Sequence, residues 1–159
     1  MSTQKITPFL WFDGQAEEAI KLYTAIFPNS KILKLRHWDK GTPYPTNWIM
    51  QGEFEINGLK VYAFDAGPMF KFNEAISMFV SCQDQAEIDF YWEKLTADGG
   101  QESMCGWLKD KFGVSWQIVP HDWDAVFNHP DKSKAAKAMA ALMKMKKIDI
   151  KAINEAAGL

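Results

Sequence analysis

The chain has 159 residues, of which 47% are hydrophobic and 14% aromatic, and its formal net charge is −2. This is enough apolar material for a packed core, and the interspersed charges exclude the basic field of a nucleic-acid binder. No apolar run approaches the ~18 residues of a membrane-spanning helix.

Residues 1–5 do not lead into an apolar signal segment, and Cys82 and Cys105 belong to no CxxC pair. A reduced, cytoplasmic protein is therefore expected. In chain order, Ile6 to Phe12 reads as a strand, broken by Asp13-Gly14, with Asp13 placed to cap the next helix. Ala16, Ala19, Ile20 and Tyr23 form one helical face, and Pro28-Asn29-Ser30 stops that helix. Lys31 to Trp38 is a second strand, followed by a Pro/Gly loop around Gly41-Thr42-Pro43.

Ile49 to Ile56 and Leu59 to Asp65 form a hairpin about Asn57-Gly58. A two-residue turn there pairs Ile56 with Leu59, Glu55 with Lys60, Phe54 with Val61 and Glu53 with Tyr62. Cross-strand partners share a face. Phe54, Ile56, Leu59, Val61 and Ala63 then make an apolar face. Gln51, Glu53, Glu55, Lys60, Tyr62 and Phe64 make a mixed one, which is either plain surface or the lining of a wet cleft.

After a link at Gly67-Pro68, the pattern repeats. Ala75 to Cys82 is a strand, and Ile88, Tyr91, Trp92 and Leu95 repeat the helical stripe. Asp98-Gly99-Gly100 stops this helix. Gln101 to Leu108 and Val114 to Val119 are the last strands, with Val114, Trp116 and Ile118 on one face and Ser115, Gln117 and Val119 on the other. Asp131 to Lys146 and Asp149 to Ala157 are expected helices. The first carries Ala138, Met139, Leu142 and Met143 on a side suited to packing on its own chain or on a second copy.

The expected fold is therefore α+β: two βαβββ modules, about 5–66 and 75–120, within a domain of residues 1–130, and a helical extension over 131–159. The residues that point to a ligand are Gln51, Glu53, Tyr62 and Phe64 of the hairpin, Ser115 and Gln117 of the last strand, and Trp48 near the long loop, where it could close over a flat molecule with Tyr44. Such a mixture of aromatic walls and few polar groups suits a small amphipathic organic ligand. Cys82 and Cys105 read as packing residues, since neither has a neighbouring base.

The chain also resembles a known group. Leu10-Trp11-Phe12-Asp13-Gly14-Gln15-Ala16-Glu17-Glu18-Ala19, the stretch Phe70-Lys71-Phe72-Asn73-Glu74-Ala75-Ile76-Ser77, and Cys105-Gly106-Trp107 through Trp116-Gln117-Ile118-Val119-Pro120 are similar to the PhnB-like branch of the vicinal oxygen chelate superfamily. That resemblance implies paired βαβββ modules and commonly a dimer. It also implies a divalent metal held by one ligand on the first and one on the fourth strand of each module. Those positions fall near Pro8, at Tyr62, near Met78 and at Gln117, which do not make a ligand set, so no metal is expected.

Members of this branch carry the label 3-demethylubiquinone-9 3-methyltransferase. S-adenosylmethionine would normally need a Gly-rich strand-to-helix turn, whereas Asp98-Gly99-Gly100 follows a helix, so no cofactor is expected. The sequence leaves three functions open: metal-free binding of a small organic molecule in a homodimer, turnover of a small oxygenated or aromatic substrate, or sequestration of a cationic drug.

Overall fold

The computed structural model describes residues 4–159. The chain divides into two compact units, one ending at Lys71 and the other spanning Phe72–Leu159, and each builds a four-stranded sheet.

In the first unit the elements are β1 (Phe9–Phe12), α1 (Ala16–Ile26), β2 (Lys31–His37), β3 (Ile49–Ile56) and β4 (Leu59–Asp65). The sheet order is β1-β4-β3-β2, with β1 parallel to β4 and the other pairs antiparallel. Helix α1 buries Ala16, Ala19, Ile20 and Tyr23 completely against this sheet, where Phe54 and Val61 are equally closed to solvent. The expected register holds from Ile56 opposite Leu59 to Glu53 opposite Tyr62. Asn57 and Gly58 supply the two positive φ angles (46° and 81°) of the turn. Leu59 departs from the expected apolar face: beside the exposed turn at the hairpin's tip, it keeps 42% of its surface.

Two other expectations are corrected here. The first strand starts at Phe9 rather than Ile6. Asp13 does not cap α1; the N-cap position is Gln15, which makes no side-chain cap bond. The cap comes from Asp65 at the end of β4, next to Phe12 in the parallel register. Its Oδ1 accepts the Ala16 N–H at 3.0 Å and its Oδ2 accepts the Ile49 N–H at 2.8 Å. Asp13 stays exposed in a turn whose Gly14 has φ 82°. The buried carboxylate therefore joins the helix start to the start of β3 and lies at the positive end of the helix.

In the second unit the elements are β5 (Met78–Cys82), α2 (Gln85–Thr96), β6 (Gln101–Glu102), β7 (Trp107–Lys109), β8 (Ser115–Pro120), α3 (Trp123–Phe127), α4 (Lys132–Leu142) and α5 (Ile150–Ala157). The order β5-β8-β7-β6 repeats that of the first sheet. The stripe Ile88, Tyr91, Trp92 and Leu95 is buried as expected. This helix is capped locally: Asp84 accepts from Glu87 N, and Glu87 accepts from Gln83 N at 2.6 Å. Pro120 occupies the position that pairs with Cys82, so β8 offers no carboxylate there, and a local cap does the work of Asp65.

The strand expected over residues 101–108 is interrupted. Residues 103–106 turn outward, with Cys105 at φ 59° and Gly106 at φ 82°. Two of their N–H groups are taken by the tail: Cys105 N donates to Met145 O at 2.7 Å and Gly106 N to Lys146 O at 2.8 Å. A side chain at position 106 would meet Ile118 O at 2.7 Å, so glycine is required by space as well as by φ. Asp110 organises the next turn, accepting from Phe112 N, Val114 N and Trp116 Nε1.

The strand expected from Ala75 begins at Met78, and the helix expected to Lys146 ends at Leu142. Residues 145–148 peel away because their backbone serves the second unit: Met145 O and Lys146 O receive the turn, and Ile148 O accepts from Gln85 Nε2. Helix α3 had no distinct signal in the sequence, being a single short turn. Among the described residues, no helix is long and apolar enough to cross a membrane.

The bridging carboxylate yields a direct test. Asp65→Ala leaves two buried N–H groups without an acceptor and should cost about 2–5 kcal/mol, from the penalty of each unmade bond. Asp65→Asn, which keeps one acceptor, should cost less. Urea denaturation of the two variants checks both the loss and the order.

Candidate functional site

Because α1 covers one face of the first sheet, the other face stays open, and strand alternation decides what stands on it. On β1 these are Phe9 and Trp11, which pair in register with Tyr62 and Phe64 on β4. The rings meet edge to face: Phe9–Phe64 at 4.9 Å and 83°, Trp11–Phe64 at 4.7 Å and 88°, and Trp11–Phe70 at 4.9 Å and 79°. Trp11 Nε1 donates to Gly67 O at 2.8 Å, which fixes the indole. Phe9 and Phe70 remain 59% and 61% exposed, an unusual amount of aromatic surface for residues in ring contact.

Beside the rings lies a polar strip. Gln51 Nε2 donates to Glu53 Oε1 at 2.8 Å, and Lys60 Nζ sits 3.2 Å from Glu53 Oε2 and 5.0 Å from the Tyr62 ring centre. Hydrogen bonding to Tyr62, and then to Glu53, holds the Lys60 ammonium above the ordinary lysine range. Glu55 pairs with Lys31 at 3.2 Å on the same face.

Four of the residues to which the sequence pointed, Gln51, Glu53, Tyr62 and Phe64, thus share this face. Phe9, Trp11 and Phe70 join them and were missed, although the alternation of Phe9 and Trp11 with buried Leu10 and Phe12 carried the signal. Trp48 goes elsewhere. Its indole lies against Gly14, within 2.8 Å of where a Cβ would stand, and Tyr44 stacks on it at 6.2 Å while also touching Trp38 at 4.5 Å.

In the second unit, Ser115 and Gln117 have their polar groups engaged by the preceding segment. Ser115 Oγ donates to Asn73 O at 3.4 Å and Gln117 Nε2 to Ser77 Oγ at 2.9 Å. Ser115 is only 2% exposed, and Trp116 beside it is buried on the helix side, as the alternation of this strand requires.

The positions at which the fold family would hold a metal do not fit one. The residue beside Tyr62 in register is Phe9, one along from the expected Pro8, and the residue beside Gln117 is Phe79, one along from Met78. Phenylalanine has no donor atom, and the amide nitrogen of Gln117 is already bonded to Ser77. Among the described residues, no three His, Cys, Asp or Glu side chains gather as a group that could hold a metal ion.

Residues 4–119 match the family described as 3-demethylubiquinone-9 3-methyltransferase. Among solved structures, a Bacillus cereus protein described as a putative 3-demethylubiquinone-9 3-methyltransferase, PhnB protein, is 36% identical. The match covers 73% of this chain and 99% of that one, with a TM-score of 0.69. Protein PA1353 from Pseudomonas aeruginosa matches at 22% identity over 74% and 97% of the two chains, TM-score 0.61. The fosfomycin resistance protein FosX from Listeria monocytogenes, complexed with Mn(II) and sulfate, matches at 17% identity over 73% and 90%, TM-score 0.53, a likeness of fold. No curated protein matches the chain.

The donor set at the family positions leads to one expectation. Titration with Mn(II), Ni(II) or Zn(II) should give no stoichiometric binding and no shift of melting temperature, and gently purified protein should show well under one metal per chain by elemental analysis.

Proposed function

We propose, since this chain belongs to the PhnB-like family described as 3-demethylubiquinone-9 3-methyltransferase, within the vicinal oxygen chelate superfamily, that it binds a small, flat, oxygenated organic molecule without a metal, on the open face of the first sheet. The observation that carries this reading is the edge-to-face series of Phe9, Phe64, Trp11 and Phe70, exposed at its two ends and half-buried between them, set beside Tyr62, Lys60 and Glu53. A flat ring covers the apolar half and removes its surface from water, at roughly 25 cal/mol per Å². The polar half supplies donors: the Tyr62 hydroxyl and the Lys60 ammonium suit a carbonyl, phenol or enolate oxygen.

Charge supports an electron-rich group over a cation. Glu53 and Glu55 are matched by Lys60 and Lys31, and Lys34, opposite Glu53 in register, adds a further positive charge to that face. A sequestered cationic drug would need the opposite balance. The reading is one of binding, with no reaction assigned, and the two free thiols suit a reducing, cytoplasmic setting.

Native mass spectrometry of protein purified without added metal should show a co-purified small molecule. Phe64→Ala should release it, and Tyr62→Phe should weaken it by roughly tenfold, the worth of one hydrogen bond. Melting temperatures should stay near that of the parent. Retention of the molecule in both variants would refute the site.

We also propose a homodimer formed through α4. Ala138 and Leu142 are buried within the chain, but Met139 on the same helix and Met143 at its C-cap are 43% and 61% exposed. Such adaptable side chains suit a subunit contact. Light scattering at micromolar concentration should give a dimer mass, and Met139→Asp should give a monomer; a parent protein that is monomeric refutes the contact.

A further inference from the structure

Strand β2 forms the outer edge of the first sheet, and an irregularity decides which of its side chains reach the open face. Lys31 pairs with Glu55 and Ile32 with Phe54, but the next residue of β3, Glu53, pairs with Lys34 and not with Leu33. Leu33 is thus an extra residue, a β-bulge. In an unbroken ladder Leu33 would stand beside Glu53 on the open face, and Lys34 beside Gly52 under α1. The bulge reverses this. It leaves Leu33 unpaired and 43% exposed, and it brings Lys34 into one row with Glu53, Tyr62 and Phe9. Arg36, opposite Gln51, follows on the same face. Bulges recur beside binding sites because they re-aim a side chain in this way.

The charge so delivered has no counter-ion. Glu53 gives one oxygen to Gln51 and the other to Lys60. Lys31 is matched by Glu55, and Arg36 by Asp39, each at 3.2 Å. Lys34 is exposed and, among the described residues, stands in no ion pair. Lys31, Lys34, Arg36 and Lys60 therefore meet only Glu53, Glu55 and Asp39, and one positive charge is left over. The same row ends at Phe9, in ring contact with Phe64.

We propose that the molecule held on this face is an aryl carboxylate, its ring on Phe9, Trp11 and Phe64 and its carboxylate the missing counter-ion of Lys34. The inference rests on the binding face proposed above and names the chemical class of its ligand. Strands β4 and β2 lie two spacings apart, about 10 Å. The flexible four-carbon stem of Lys34, leaning inward, and a short arm on the ligand cover that span. An exposed ammonium adds modest affinity, so its main effect is to choose a carboxylate over a neutral or cationic analogue.

The test uses trans-cinnamate and its neutral isostere cinnamide, with the full chain at neutral pH and binding read by calorimetry. Cinnamate should bind one per chain, roughly fivefold tighter than cinnamide, the scale of one exposed charge pair. Added salt should erase most of that difference. Lys34→Met should bring cinnamate down to the affinity of cinnamide. Glu53→Gln keeps an acceptor for Gln51 but removes a negative charge, and should tighten cinnamate relative to cinnamide. Phe64→Ala should weaken both probes, with folding checked by melting temperature. Lys137→Met, at an exposed lysine of the second unit, controls for net charge and should leave the preference intact. Equal affinity for the two probes, a preference that survives Lys34→Met, or an equal loss on Lys137→Met would each overturn the carboxylate while leaving the binding face in place. Failure of both probes to bind, or binding of both that ignores Phe64→Ala, would remove the face and this inference with it.

Discussion

Each four-stranded sheet has one helix laid on it, and that helix covers one face only. Everything of functional interest follows from this constraint. Residues alternate across a strand, so burying Leu10, Phe12, Phe54, Val61 and Ala63 against α1 forces Phe9, Trp11, Glu53, Tyr62 and Phe64 to the other side. A slip of one residue would exchange the two sets and place Glu53 and Lys60 under the helix, where unpaired burial of charge is costly. The register is thus held both by the apolar face and by the charges opposite it.

The two units solve the same local problem in different ways. A helix following a strand needs acceptors for its first N–H groups. In the second unit Asp84 and Glu87 answer within four residues of chain. In the first unit the answer comes from Asp65, at the far end of β4, which adds a bond to Ile49 N. The first solution is autonomous. The second makes the helix start depend on the sheet being paired, so that α1, β3 and β4 are stabilised together.

The tail shows how little of a helix's end is decided by its own residues. Residues 132–142 form a helix from alanine-rich sequence, yet the good helix formers that follow do not extend it. Their carbonyls are drawn to Cys105 and Gly106, and Ile148 is fully buried nearby. Tertiary hydrogen bonds outweigh propensity at that point because the N–H groups of Cys105 and Gly106 take their acceptors from the tail.

Periodicity and turn chemistry were sufficient to determine much of this protein. The duplicated strand–helix–strands plan, the stripes of α1 and α2, the hairpin register about Asn57-Gly58 and the common face of Gln51, Glu53, Tyr62 and Phe64 were all legible. Each is set by residues within a few positions of one another or by the strict period of a strand. Tertiary structure alone decided that Asp65 and not Asp13 caps α1, that residues 103–106 leave the ladder, that Ser115 and Gln117 are bonded by the segment before them, and that Trp48 packs on Gly14. These depend on which distant backbone or side-chain group arrives first at an unsatisfied donor or an open space. Sequence spacing carries no record of such arrivals, because the same local residues would accept any partner of suitable shape and charge.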